Sequence, residues 1–222
     1  MTQPLYAERH SLLTGDQQLP ELVLLHGWGI DSRIWSGVLP LLAGFGQITL
    51  IDLPGFGRSN HLLLDKPGEW FDAVLQVAPP RAVYLGFSLG GMLAVQLARH
   101  FPERVSALIS IASNARFVAS EDWLPAMEEH IFDEFFKLCE KQPAVALKRF
   151  LALQAKGCEN ERELSRSLKS LCDAGSLTTQ ALVNGLAVLA AMDNRLALSE
   201  LQCPSLHIYG DADELVPVAA AK

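Results

Sequence analysis

Leu85-Gly86-Phe87-Ser88-Leu89-Gly90-Gly91 is the stretch whose reading decides the fold. The run Ala82-Val83-Tyr84-Leu85 precedes it, with the composition of a buried strand. Met92-Leu93-Ala94-Val95-Gln96-Leu97-Ala98-Arg99 follows it, with the composition of a helix. Between them lies a Gly-x-Ser-x-Gly turn, too sharp for side chains beside the serine, and Gly86 and Gly90 let strand and helix approach. Ser88 is then held at a strand end with its hydroxyl exposed. It sits near a helix N-terminus, which favours developing negative charge. The competing reading is a Gly-rich turn around an ordinary serine, and the rest of the chain speaks against it.

Working outward toward the N-terminus, two more continuous apolar runs appear, Ile48-Thr49-Leu50-Ile51 and Leu22-Val23-Leu24-Leu25. Such runs suit strands buried on both faces. The first ends in Asp52-Leu53-Pro54-Gly55-Phe56-Gly57-Arg58-Ser59, the second in His26-Gly27-Trp28-Gly29. Helices are expected over Ile34–Leu42 and Glu69–Val77, and residues 1–20 read as a weak hairpin or extended lead-in. Toward the C-terminus, Val105–Ile111 is another buried strand. This alternation predicts a mostly parallel sheet, with active groups at the carboxyl ends of its strands, where all three Gly-containing loops fall.

From Arg116 the strand runs stop. Helix-like segments span Trp123–Cys139, Pro143–Lys156, Glu161–Cys172 and Thr178–Met192, as in a cap or lid. Ser205–Tyr209 is the final strand, followed by Gly210-Asp211-Ala212-Asp213-Glu214-Leu215-Val216-Pro217. The expected division is a core over 1–115, a helical cap over 116–186 and a return to the core over 187–222.

Composition narrows the function. A net charge of −7 argues against general nucleic-acid binding. No apolar run approaches the roughly 20 residues that span a bilayer. The N-terminus has no basic and apolar signal segment, so a cytoplasmic protein is expected. The cysteines, Cys139, Cys158, Cys172 and Cys203, show no C-x-x-C pair and read as free thiols. No metal or cofactor site is expected, and a monomer is expected.

A serine hydroxyl is a poor nucleophile at neutral pH and needs a base and an oxyanion site. The N–H of Leu89, next after the serine, can supply one donor. The loop after Leu25 should supply the second, from the N–H of Trp28. Asp213 is the expected acid, with Asp211, closer to the strand end, as its rival. The base is the difficulty. Among six histidines (His10, His26, His61, His100, His130, His207), none follows Asp213, although the chain order in this topology is serine, acid, histidine. His26 reads as a structural hydrogen-bonding residue of its loop, His207 lies within a strand, and His100 ends a helix. The expectation is a chain truncated at its C-terminus, lacking a strand, the base histidine and a closing helix, and nearly inactive as it stands.

These motifs, in this order, resemble the α/β-hydrolase family. Within it, Leu24–Gly29, Val105–Leu108 and the lid stretch Arg149-Phe150-Leu151-Ala152-Leu153-Gln154 are similar to the branch that hydrolyses the methyl ester of pimeloyl-acyl carrier protein in biotin synthesis. The resemblance implies Ser88 as nucleophile, Asp213 as acid, Trp28 and Leu89 as oxyanion donors, and Phe150 and Phe87 along the acyl channel. It also implies an acidic acyl carrier protein as partner. Residues 148–169 carry a net +3 within the negative chain. Arg162, Arg166 and Lys169 share a helix face by their i, i+4, i+7 spacing. Arg149, Arg162 and Arg166 are the expected carrier-binding residues, since arginine suits carboxylate and phosphate alike. Two alternatives remain at this level: an esterase or C–C hydrolase acting on free small molecules, and a binding protein that keeps the fold without the base.

Overall fold

The computed structural model describes residues 3–11, 19–42, 45–171 and 177–221. The strands are β1 (Ala7–Ser11), β2 (Leu22–Leu25), β3 (Gln47–Ile51), β4 (Ala82–Phe87), β5 (Val105–Ile111) and β6 (Ser205–Ile208). They form one sheet in the order β1-β3-β2-β4-β5-β6. β1 pairs antiparallel with β3, Glu8 opposite Leu50, and every other pair is parallel. Leu24 aligns with Leu50 on one side and Leu85 on the other, so the three Gly-containing loops leave the sheet at one end.

The period-2 alternation of side chains sorts β2 cleanly. Val23, Leu25 and Tyr84 face a core shared with α1 (Pro67–Val77) and α2 (Leu89–His100). Leu22, Leu24, Val83 and Leu85 face the other way, onto Trp35, Ile48 and Leu50. At the far edge β6 is open to solvent, with Leu206 54% and Ile208 44% exposed.

Four helices build the cap: α3 (Glu129–Lys141), α4 (Pro143–Ala155), α5 (Glu161–Leu171) and α6 (Thr179–Ala191). α4 packs on α3 and α5, and α6 packs on α3. A short α7 (Arg195–Ser199) leads back toward β6. The cap boundary expected at Leu186 falls inside α6. The two stems meet instead at Arg116 and Asp193, which form an antiparallel bridge, and the Asn194 N–H donates to the Ala115 carbonyl at 2.7 Å. Asn194 is buried, takes a hydrogen bond from Gln96 at 2.6 Å and donates to the Met92 carbonyl at 3.1 Å. The stems are thereby fastened to α2.

Two expected helices are corrected. Ile34–Leu42 is a pair of 3-10 turns, Ser32–Trp35 and Leu39–Leu42. Asp31 caps the first through the Arg33 N–H, and Gly37 and Pro40 prevent a continuous helix. The helix expected from Trp123 begins only at Glu129. Pro125 disfavours helical backbone before it, and Asn114 binds this segment by donating to the Pro125 carbonyl (2.7 Å) and accepting from the Trp123 indole (3.1 Å). Of the free cysteines, Cys139 is buried, its thiol pushed up to about 11 by desolvation, while Cys158 is exposed. Cys172 lies outside the described residues, as does much of the expected N-terminal hairpin.

Candidate active site

Ser88 joins β4 to α2 with φ 52° and ψ −117°, a region that costs a non-glycine residue about 1–3 kcal/mol. The surroundings hold it there. Its N–H donates to the Ile111 carbonyl at 2.8 Å, and its carbonyl accepts from the Ser113 hydroxyl at 2.9 Å. The turn closes because three positions carry no side chain. A Cβ on Gly86 would run into the Gly90 carbonyl, one on Gly90 into the Leu25 carbonyl, and one on Gly91 into the Ser113 hydroxyl.

The loop after β2 lies beside this elbow. A Cβ on Gly27 would stand 3.4 Å from the Ser88 Cβ and 2.9 Å from the Phe87 ring. His26, fully buried, fixes the loop. Its Nε2 accepts from the Leu53 N–H at 2.8 Å, so the ring proton sits on Nδ1, which donates to the Gly27 carbonyl at 2.8 Å. Burial holds this imidazole below its ordinary pKa, and nearby Asp52 only partly offsets that. His26 is thus a neutral, doubly bonded pin with neither nitrogen left for Ser88. A trans peptide points its C=O and N–H to opposite sides, so holding the Gly27 carbonyl sets the direction of the Trp28 N–H. Among the described residues, no acceptor takes the amide N–H of Trp28 or of Leu89.

The Trp28 side chain does a different job. Its indole is buried, donates to the Leu182 carbonyl at 2.9 Å, and meets Phe150 and Phe135 edge-on at 4.8 and 5.8 Å. Phe150, also buried, belongs to this joint between core and cap. Neither ring lines the cavity beside Ser88, whereas Phe87 does.

That cavity has a volume of about 480 Å³. Ser88, Phe87, Ile111 and Ala112 line it from the core, Tyr209 to Asp213, Leu215 and Val216 from the loop after β6, and Leu153, Gln154, Lys156 and Cys158 from the cap. Asp213 and its rival Asp211 both reach it. Asp213 is the better held, because its Oδ1 accepts from the Leu215 and Val216 N–H groups at 2.8 and 2.9 Å. Its Oδ2 takes no hydrogen bond among the described residues. No histidine lines the cavity. His207 bonds the Ser110 hydroxyl at 2.7 Å on the sheet, and His100 stacks on Phe71.

Gln154 escaped the reading of the sequence as a site residue. Both atoms of its amide are buried without a partner while the residue lines the cavity. Its one signal was its place in the lid stretch; a glutamine on an amphipathic helix otherwise reads as surface. Arg149, Arg162 and Arg166 are exposed on α4 and α5, and among the described residues none has an ion pair.

The sequence profile of the alpha/beta hydrolase fold matches residues 20–222. A bifunctional biotin biosynthesis protein of Cellvibrio japonicus is 43% identical over 203 residues, covering 91% of this chain and 40% of that protein. The pimeloyl-[acyl-carrier protein] methyl ester esterase of Klebsiella pneumoniae is 41% identical over 197 residues, covering 88% of this chain and 76% of that one. The chain therefore spans about two fifths of the bifunctional relative and about three quarters of the esterase. Among solved structures, an esterase from Exiguobacterium antarcticum superposes with a TM-score of 0.82 at 21% identity, over 98% of this chain and 81% of that one. A strained serine between strand and helix, glycines at each close approach, a parallel sheet under a helical cap and a profile match from residue 20 to the last residue agree: the chain belongs to the α/β-hydrolase family.

Proposed function

We propose that the chain is the hydrolase part of a cytoplasmic serine carboxylesterase that cleaves the methyl ester of pimeloyl-acyl carrier protein in biotin synthesis. The observation that carries this is the strained Ser88 on the wall of a cavity that Asp213 also lines, with the N–H groups of Trp28 and Leu89, which have no acceptor among the described residues, on the two adjoining segments. The Klebsiella relative supplies the substrate class.

In this mechanism the Ser88 oxygen attacks the ester carbonyl carbon. The carbonyl oxygen becomes an oxyanion, for which Trp28 and Leu89 present their N–H groups; one such donor is worth about 10²–10³ in turnover. Methanol leaves with the proton taken from Ser88. Water then attacks the acyl-serine and frees the ω-carboxylate. The free oxygen of Asp213 orients the base that carries the proton. None of the six histidines of this chain lines the cavity, so none of them is assigned as that base. The apolar cavity wall suits the acyl chain, and the Gln154 amide offers a donor and an acceptor to its polar end. The exposed cap arginines suit an acidic carrier.

The test is Ser88→Ala in the full gene product, assayed by methanol release from the carrier-bound methyl ester. Turnover is expected to fall about 10⁶-fold, as when a serine triad loses its nucleophile. Retention of activity would remove Ser88 as nucleophile.

A further inference from the structure

The cap meets the loop that carries Asp213 at the turn after α4. Lys156 Nζ pairs with Glu214 Oε2 at 2.7 Å. One residue on, Gly157 has φ +80°, and a Cβ placed on it would stand 3.6 Å from the Ala212 Cβ and 3.7 Å from the Ala212 carbonyl oxygen. Two consecutive cap residues thus meet two members of the acid loop. Lys156, Gly157, Ala212 and Asp213 all line the Ser88 cavity, so this contact lies across its wall and not on a remote surface. Lys156 is the only cation on that wall among the described residues.

Resting on the reading of this cavity as the ester site, we propose that Lys156 and Glu214 form a strap between cap and acid loop that sorts esters by size. A small ester enters with the strap closed. An ester carrying a bulky arm needs the two segments to part. Both side chains are about half exposed, at 54% each, so solvent screens their attraction. Exposed pairs of this kind are worth up to about 1 kcal/mol, which limits the effect of opening to about fivefold. A strap this weak can be released by a competitor. An acidic partner docking on the neighbouring arginines of α4 and α5 offers carboxylates in place of Glu214, so the strap opens when the arm arrives on its carrier.

The test compares two methyl esters in the full gene product, methyl butyrate and a methyl ester whose acyl chain ends in a dansyl amide. The quantity read is the ratio of kcat/KM, bulky over small. For the unaltered protein the ratio is expected to rise about two- to fivefold as NaCl goes from about 0.05 to about 0.5 M, because salt screens exposed charges. Lys156→Ala and Glu214→Ala should each show the raised ratio at low salt and no further response. The charge-exchanged protein, Lys156→Glu with Glu214→Lys, should return both the low ratio and the salt response. Dansyl fluorescence gives the association rate of the bulky ester, with the same ordering expected, in any variant that turns over too slowly. A ratio and an association rate that ignore salt and all three variants would overturn the strap. Ser88→Ala run beside them separates the two failures: if it leaves hydrolysis intact, the ester-site reading falls; if it abolishes hydrolysis while the ratio stays flat, only the strap falls.

Discussion

His26 shows how one side chain can fix the path of a loop through both of its ring nitrogens. Its ring is buried, neutral and bonded at both nitrogens, and through the Gly27 carbonyl it sets the peptide that carries the Trp28 N–H. The linkage has a definite sign. Burial lowers its folded pKa below 6.5, so at acidic pH the unfolded chain binds a proton that the folded chain refuses. The contribution of His26 to stability is therefore complete above about pH 6.5 and is lost as pH falls toward the folded pKa. Replacing His26 with Gln is expected to lower stability at pH 7.5 by about 1–3 kcal/mol, the cost of a disturbed buried hydrogen bond. It should also flatten the change in stability between pH 7.5 and 5. Urea titrations at several pH values check both; an unchanged pH profile would remove His26 as its source. His207, also lowered by burial, adds to the same slope and persists in the variant.

At the scale of elements, the cap works through two different faces. Its inner face is an aromatic joint in which Phe150 meets Trp28 and Phe135 at 4.8 and 5.9 Å. Phe150→Ala is expected to cost about 3–5 kcal/mol by leaving a cavity there, read as a lowered urea midpoint. Its outer face carries Arg149, Arg162 and Arg166. Replacing all three with Ala should raise KM for the carrier-bound ester tenfold or more while changing hydrolysis of a p-nitrophenyl ester less than twofold; an equal loss on both would exclude a carrier-docking role. The parallel strands and the elbow were legible in the sequence because continuous apolar runs end in Gly-rich loops. Helices over Ile34–Leu42 and from Trp123 were not, because Pro40 and Pro125 and the capping side chains of Asp31 and Asn114 outweigh a weak periodicity. Phe150 was legible as a member of the lid stretch and not as a packing residue, since the direction of its ring depends on α3. Gln154 and the Lys156–Glu214 pair were hidden for a related reason: each acquires meaning only when the cap folds over a loop some 60 residues away in sequence.

For the whole molecule, the proposed ester chemistry turns on which group can take the proton of Ser88. Ser88 and Asp213 line one cavity, and none of the six histidines lines it. With no histidine at the cavity, residues 1–222 are expected to turn over the ester about 10⁶-fold below a complete serine triad, retaining only oxyanion and binding contributions. Methanol release from the carrier-bound ester is the measurement, and turnover at the rate of a complete triad would mean that one of the six histidines serves after all.

The meeting of the cap stems has a consequence for how such a chain can change over generations. Ala115 and Asn194 are one hydrogen bond apart, at 2.7 Å, and the buried Asn194 anchors that point to α2. The core is therefore already closed where the cap departs, and whatever is inserted there spans almost no distance. Loop closure costs rise only slowly with insert length, so long and short lids are tolerated nearly alike. Lids can thus be lengthened, shortened or exchanged as cassettes while the strands and the elbow stay in register. Substrate range can drift in such a molecule so long as each new lid rebuilds the joint with Trp28.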